Sequence, residues 1–186
     1  TLSIALLAAL TLMLGGCGYN TFQSTDEAVK ASWSEVINQY QRRADLVPNL
    51  VATVKGYASH EQDTLKAVTD ARARVGSVQV SDPAQLKEFE AAQNQLSSAL
   101  SRLMVVVERY PDLKADQQFL TLQAQLEGTE NRIKVERDRF NESVKGYNTA
   151  VKRFPGNLIA GMTGFAAKGY FEAEAGSEQA PDVNFE

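Results

Sequence analysis

Residues 29–75 read VKASWSEVINQYQRRADLVPNLVATVKGYASHEQDTLKAVTDARARV, and apolar or aromatic side chains recur through them at intervals of three and four. The series is Val29, Trp33, Val36, Tyr40, Ala44, Val47, Val51, Val54, Ala58, Leu65, Val68 and Val75, interrupted between Ala58 and Leu65. Such spacing marks one face of a long helix packed in a bundle or coiled coil. Glu35, Gln39, Arg42, Arg43, Lys55, Gln62 and Lys66 fall between these positions and read as a solvated face. Pro48 lies inside the run. It lacks the amide that would bond the Ala44 carbonyl and it crowds that group, so a kink rather than a loop is expected there.

Working outward, the periodicity fades at Val75-Gly76-Ser77, and Val78-Gln79-Val80 is too short to make a strand of consequence. Asp82-Pro83-Ala84-Gln85 then opens a second helix, with Asp82 as cap, Pro83 at the first helical position and Gln85 as capping-box partner. Its stripe is Leu86, Phe89, Gln93, Leu96, Leu100, Leu103 and Val107, with Gln93 the one polar intrusion. Tyr110-Pro111-Asp112 stops it and starts a third helix with the stripe Phe119, Leu122, Leu126, Thr129, Ile133, Phe140, Val144, Tyr147, Val151 and Phe154. Pro155-Gly156-Asn157 ends that helix. Short connections force antiparallel neighbours. The expected fold is therefore all-α: an elongated antiparallel bundle of three long helices, the first kinked at Pro48.

The ends differ from this body. No charged residue occurs in the first 25, and all 19 basic and 23 acidic residues fall within 26–186. The leader TLSIALLAALTLMLGGC ends at Cys17, the only cysteine, after Leu14-Gly15-Gly16. Small residues before a lone cysteine resemble the site at which a lipoprotein signal peptidase cuts before the thiol is diacylated. Leu2–Leu14 has the length of a signal-peptide apolar region. Extended to Tyr19, the run nears the lower limit of about 17 residues for a spanning helix. Cys17 is then either a lipidated N-terminus or the end of a transmembrane anchor; both place the body outside the cytoplasm, against a membrane. A basic stretch should precede a signal peptide, and since the chain opens at Thr1, upstream residues are expected. Segments 1–17, 18–25, 26–156 and 157–186 thus read as leader, linker, helical bundle and tail. The tail begins apolar and Gly-rich from Leu158 to Ala167, expected to pack along the bundle or its end, with a membrane or partner contact as the alternative. Ser177–Glu186 reads as extended, with Val183 and Phe185 as anchors.

Composition excludes several chemistries. A net charge of −4 argues against nucleic acid, which needs a basic face. One cysteine allows no internal disulfide. His60, the single histidine, precedes Glu61, but Thr64 occupies the position where a zinc-protease helix needs its second histidine. No cofactor is expected, no catalytic residues are assigned and no metal site is indicated.

Two polar clusters stand out: Gln41-Arg42-Arg43-Ala44-Asp45 before the proline, and Thr129-Glu130-Asn131-Arg132 midway along the third helix. They read either as surface pairs at i,i+3 and i,i+4, each worth a few tenths of a kcal/mol, or as a buried network or docking site in which the clusters face one another.

The strings Gln39-Tyr40-Gln41-Arg42-Arg43-Ala44-Asp45-Leu46-Val47-Pro48-Asn49-Leu50-Val51 and Val54-Lys55-Gly56-Tyr57-Ala58-Ser59-His60-Glu61 closely resemble the LemA family. So do Tyr110-Pro111-Asp112-Leu113-Lys114-Ala115, Leu126-Glu127-Gly128-Thr129-Glu130-Asn131-Arg132-Ile133 and Tyr147-Asn148, and the likeness runs from Cys17 to about Glu172. The resemblance implies a bacterial membrane-associated protein with a leader and an antiparallel helical bundle outside the cytoplasm; it supplies no reaction. Many members look as though they carry a plain transmembrane anchor, whereas this leader ends in Leu-Gly-Gly-Cys. Gly18 follows where an aspartate would suggest inner-membrane retention, pointing to an outer membrane in a two-membrane cell. Membership in the matching strings also shifts Arg42, Arg43, Asp45, Asn49, Glu130, Asn131 and Arg132 toward the network or partner-site reading. The expected role is a membrane-anchored, non-enzymatic scaffold or adaptor engaging another envelope protein. Self-assembly at the membrane surface and a cryptic envelope hydrolase are the alternatives.

Overall fold

A computed structural model describes residues 2–78 and 85–172, with side chains from residue 19 onward. The chain is all-α, as its periodicity predicts: α1 Leu2–Tyr57, α2 Gln62–Ser77, α3 Leu86–Val107, α4 Pro111–Lys114, α5 Gln117–Lys152 and α6 Gly156–Thr163. No strand occurs among the described residues. The capping signal Asp82-Pro83-Ala84, the tail beyond Glu172 with Val183 and Phe185, and the Cys17 side chain lie outside the description. Residues 18–25, expected as a linker, are helical and continue α1 into the bundle.

The run 29–75 is two helices rather than one kinked rod. α1 continues through Pro48 and stops at Tyr57, and Ala58-Ser59-His60-Glu61 turns the chain back into α2. The turn falls where the apolar series lapsed between Ala58 and Leu65. Cross-contacts give the directions. Arg72 of α2 reaches Ala44 of α1, Tyr40 and Arg43 of α1 meet Phe89 and Gln93 of α3, and Trp33 and Arg43 meet Phe140 and Glu130 of α5. α2 and α5 therefore run against α1, and α3 runs with it. The result is an up-down-up-down bundle with the long α1–α5 pair as spine.

Pro48 participates in this arrangement. Its missing amide leaves the Ala44 carbonyl without its usual i+4 donor, and Arg72 Nε donates to that oxygen at 3.0 Å. The helix interruption thereby becomes an attachment point for α2. At the end of the bundle where α1 turns into α2, Glu61 accepts from Arg109 Nη2 at 2.9 Å and from the Tyr110 hydroxyl at 3.0 Å, joining the α1–α2 turn to the α3–α4 turn. Asp116 caps α5 by accepting from the Phe119 amide at 2.8 Å, and the Tyr57 hydroxyl donates to its other oxygen at 2.9 Å. Tyr110-Pro111-Asp112 thus begins only the single turn α4, while the local cap of the long helix is Asp116.

At the opposite end the tail takes the place that α3 vacates. After Gly164, whose φ of 80° needs a glycine, residues 165–172 run extended along the spine. Only every third residue turns inward: Phe165 and Lys168 are half-buried and Phe171 is buried. Two asparagines of α5 hold this segment. Asn148 accepts from the Lys168 amide at 2.8 Å and donates to its carbonyl at 2.9 Å. Asn141 does the same for Phe171, at 2.9 and 3.1 Å. Seven helical residues rise about 10.5 Å and three extended residues advance about 9–10 Å, so the two spacings match. Phe171 then packs against Trp33 and Phe140, and Lys168 Nζ pairs with Asp26 of α1 at 2.8 Å.

All seven α3 stripe positions are buried, as are the α5 positions up to Val151, but Phe154 is exposed. The core falls into two apolar clusters. One contains Val47, Leu50, Leu96, Leu103, Phe119 and Leu126; the other contains Phe22, Trp33, Phe89, Ile133, Phe140 and Tyr147.

Two outcomes follow from these contacts. Removing the Arg72 bond with Arg72→Ala should cost about 1 kcal/mol in an otherwise unchanged chain. It should cost markedly less when Pro48→Ala restores the helix amide, and strictly additive urea midpoints across the four-variant cycle would contradict the compensation. The second concerns acid. Burial works to raise the Asp26 pKa, but bonds from Lys168 and Lys30 outweigh it and hold the carboxyl below its ordinary value. A carboxylate depressed in the folded state stabilises above its unfolded pKa and loses that contribution as pH falls through the folded one. Asp26→Asn should therefore lower the urea midpoint at neutral pH, and the gap from the native chain should close below about pH 4.

Candidate functional site

Between the two apolar clusters lies a polar layer. Arg43 sits one turn beyond Tyr40 of the cluster around Trp33 and one before Val47 of the other, and it is 1% exposed. Gln93 lies between Phe89 and Leu96 on α3, and Thr129 between Leu126 and Ile133 on α5; both are buried. Arg43 Nη1 donates to Glu130 Oε1 at 2.6 Å and to Ser97 Oγ at 3.0 Å. Its Nη2 donates to the Gln93 carbonyl at 3.2 Å and to the Gln93 side-chain oxygen. The guanidinium plane also rests over the Tyr40 ring, 5.2 Å from its centroid. Burial pushes the Tyr40 phenol above its ordinary pKa. Thr129 turns its hydroxyl to the Gln125 carbonyl of its own helix at 2.8 Å.

The arginine enters the core because the packed face of α1 runs Tyr40, Arg43, Val47, Leu50, Val54, again at three and four. Ala44 and Val51, assigned to the core from the apolar pattern, sit half-buried on the flank facing α2. A guanidinium keeps its charge at any physiological pH, so burial requires acceptors from every side. Four of its donor contacts are met, while Arg43 Nε and Gln93 Nε2 are buried without protein partners.

Of the residues singled out from sequence, Arg43 and Glu130 are brought together. Arg42, Asp45, Asn49, Asn131 and Arg132 are exposed, and their side chains make no hydrogen bond or ion pair among the described residues. Gln93 and Ser97 were missed as members. Gln93 had a visible signal, as the polar residue in an otherwise apolar α3 stripe; Ser97 had none. A cleft of about 470 Å³ opens on one side of the layer between α1, α2 and α3, lined in part by Tyr40, Asp45, Arg72 and Gln93. On the other side, a groove of about 350 Å³ between α3 and α5 is lined by Ser97, Ser101, Glu127, Glu130 and Lys134. His60 is exposed in the α1–α2 turn. Among the described residues no three His, Cys, Asp or Glu side chains converge to hold a metal ion. The arrangement of the layer is one of recognition between helices: it matches a fixed charge on α1 to acceptors on α3 and α5.

Arg43→Ala should cost about 3 kcal/mol, because it strands Gln93 and leaves a hole at the layer. Arg43→Lys should recover only part of that, lacking the planar fork. Arg43→Leu with Gln93→Leu should restore most of the denaturation free energy. Its amide-exchange protection beside the layer should fall, however, as helix register loosens. Undiminished protection in that double variant would remove the register role.

Comparison with known proteins bears on the whole chain. Magnetosome protein MamQ of Magnetospirillum gryphiswaldense is 29% identical over 189 residues, covering 90% of this chain and 69% of its own length. Magnetosome protein MamQ 2 of Paramagnetospirillum magneticum is 28% identical over 192 residues, covering 92% of this chain and 69% of its own. Protein LemA of Metamycoplasma hominis is 25% identical over 143 residues, which are 76% of this chain and 59% of that protein. The family profile described as LemA family matches residues 32–185, spanning every helix of the bundle except the first part of α1, and the chain belongs to that family.

Proposed function

We propose that this LemA family member is a membrane-anchored, non-enzymatic helical scaffold of the bacterial cell envelope, holding its bundle outside the cytoplasm to engage another envelope protein. The continuity of α1 carries this reading. One helix runs from Leu2 through the uncharged leader into the bundle spine, ending at Tyr57. A leader that anchors in lipid would thus fix the orientation of the spine directly. Among the residues whose side chains are described, no helix is long and apolar enough to cross a membrane. The non-enzymatic reading is supported by the polar layer, whose strongest charges neutralise one another within the bundle. The exposed Arg42, Asp45, Asn49, Asn131 and Arg132 offer polar contacts to a partner.

Cross-linking in intact cells, followed by purification from membranes, tests this role for the native chain beside Cys17→Ser. A distinct envelope protein should be captured with the native chain. Capture of this chain alone, or of nothing, would count against the adaptor reading and favour self-assembly or no assembly. If Cys17 carries lipid, the native chain should incorporate labelled palmitate and Cys17→Ser should not; no incorporation into the native chain would assign anchoring to a spanning leader.

A further inference from the structure

The end of the bundle at which the leader joins carries an apolar face with none of the described chain packed over it. Phe154, Leu158 and Met162 are 80%, 59% and 88% exposed. Leu158 and Met162 stand one turn apart on α6, and Phe154 lies in the turn that leads into it. The opposite side of α6 is fixed. Ala160 is buried, and a Cβ added at Gly156 would meet the Ala150 carbonyl of α5 at 2.6 Å and the Phe22 ring of α1 at 3.2 Å. Beyond the turn at Gly164, Phe165 packs on both Phe22 and Tyr19, with ring centroids 5.4 and 5.9 Å apart. Tyr19 is the first residue after the leader whose side chain is described. The exposed stripe is thereby held beside the point where the uncharged segment meets the bundle.

Charge follows the same boundary. No charged residue occurs from Phe154 to Ala167. Lys152 and Arg153 stand exposed just before it, and Lys168, just after it, is drawn back to Asp26. α6 has eight residues and is about 12 Å long, too short to cross a bilayer and suited to lying in its surface layer. We propose that α6 is a lipid-contacting element. Phe154, Leu158 and Met162 enter the outer layer of the same bilayer that holds the leader, and Lys152 and Arg153 remain at headgroup level. This rests on the membrane-anchored reading. A protein groove would satisfy the apolar stripe equally well, but the adjoining leader and the basic boundary select lipid.

The test uses the full chain in vesicles of phosphatidylethanolamine and phosphatidylglycerol. A diazirine-bearing residue replaces Leu158 or Met162 and, as control, the exposed Val135 on α5, about 25 Å along the helix from its end at Lys152. Irradiation should give phospholipid adducts at 158 and 162, and their loss at 135. If the chain floats with the vesicles but positions 158 and 162 couple only to protein or water, the lipid-contact proposal is overturned and anchoring stands. If the chain does not float with the vesicles, both fall.

Discussion

Burying one guanidinium midway along the bundle constrains much of the remaining architecture. Moving a permanent charge out of water costs several kcal/mol even after relaxation, and only close acceptors on all sides offset it. Arg43 finds these on α3 and α5, through Gln93, Ser97 and Glu130. Elsewhere the interfaces are stripes of similar apolar residues, along which helices sliding by a heptad would still bury comparable area. A sliding helix would carry the acceptors away from the arginine. The layer thus supplies a positional signal that apolar packing lacks, and its two flanking clusters assemble around it.

The ends of the bundle are secured by other means. Where a helix stops or loses a bond, a side chain from another element fills the backbone vacancy or ties the turn. Beside the layer, Arg72 serves the carbonyl that Pro48 leaves open; at the ends, Glu61 links two turns, and Asn141 and Asn148 hold the extended tail at Phe171 and Lys168. These bonds are local, so each end is fixed without altering the arginine layer. The end near the leader is the less covered, and there the molecule combines a continuous α1, an exposed apolar stripe and flanking basic residues. An anchored scaffold has its adaptable surface at that boundary and its most determined packing in the middle.

The helical class, the α3 stripe and the α5 stripe to Val151 were legible because heptad spacing survives whatever the neighbour is. The turn at 58–61 left only a trace, a lapse in the apolar series, and Pro48 drew attention away from it. Helix direction had no local signature there: Ala58-Ser59-His60-Glu61 contains neither glycine nor proline, and its key partners, Arg109 and Tyr110, lie 48 and 49 residues from Glu61. The tail was legible as apolar but not as a clamped segment, since its holding residues read as ordinary polar positions of α5. The candidate site was half visible. Two clusters suggested a network, yet only Arg43 and Glu130 join it, and both helix partners on α3 had to be found in space.

By itself, then, the sequence determined that this chain makes long amphipathic helices behind an uncharged leader, because periodicity and charge segregation are local properties. Tertiary structure decided which of two adjacent positions entered the core. At 43 and 44 the apolar pattern favoured alanine, and the fold chose arginine. The reason is physical: a buried charge is tolerable only where its acceptors converge, and these lie 50 and 87 residues away along the chain, on helices that meet α1 only when the bundle closes.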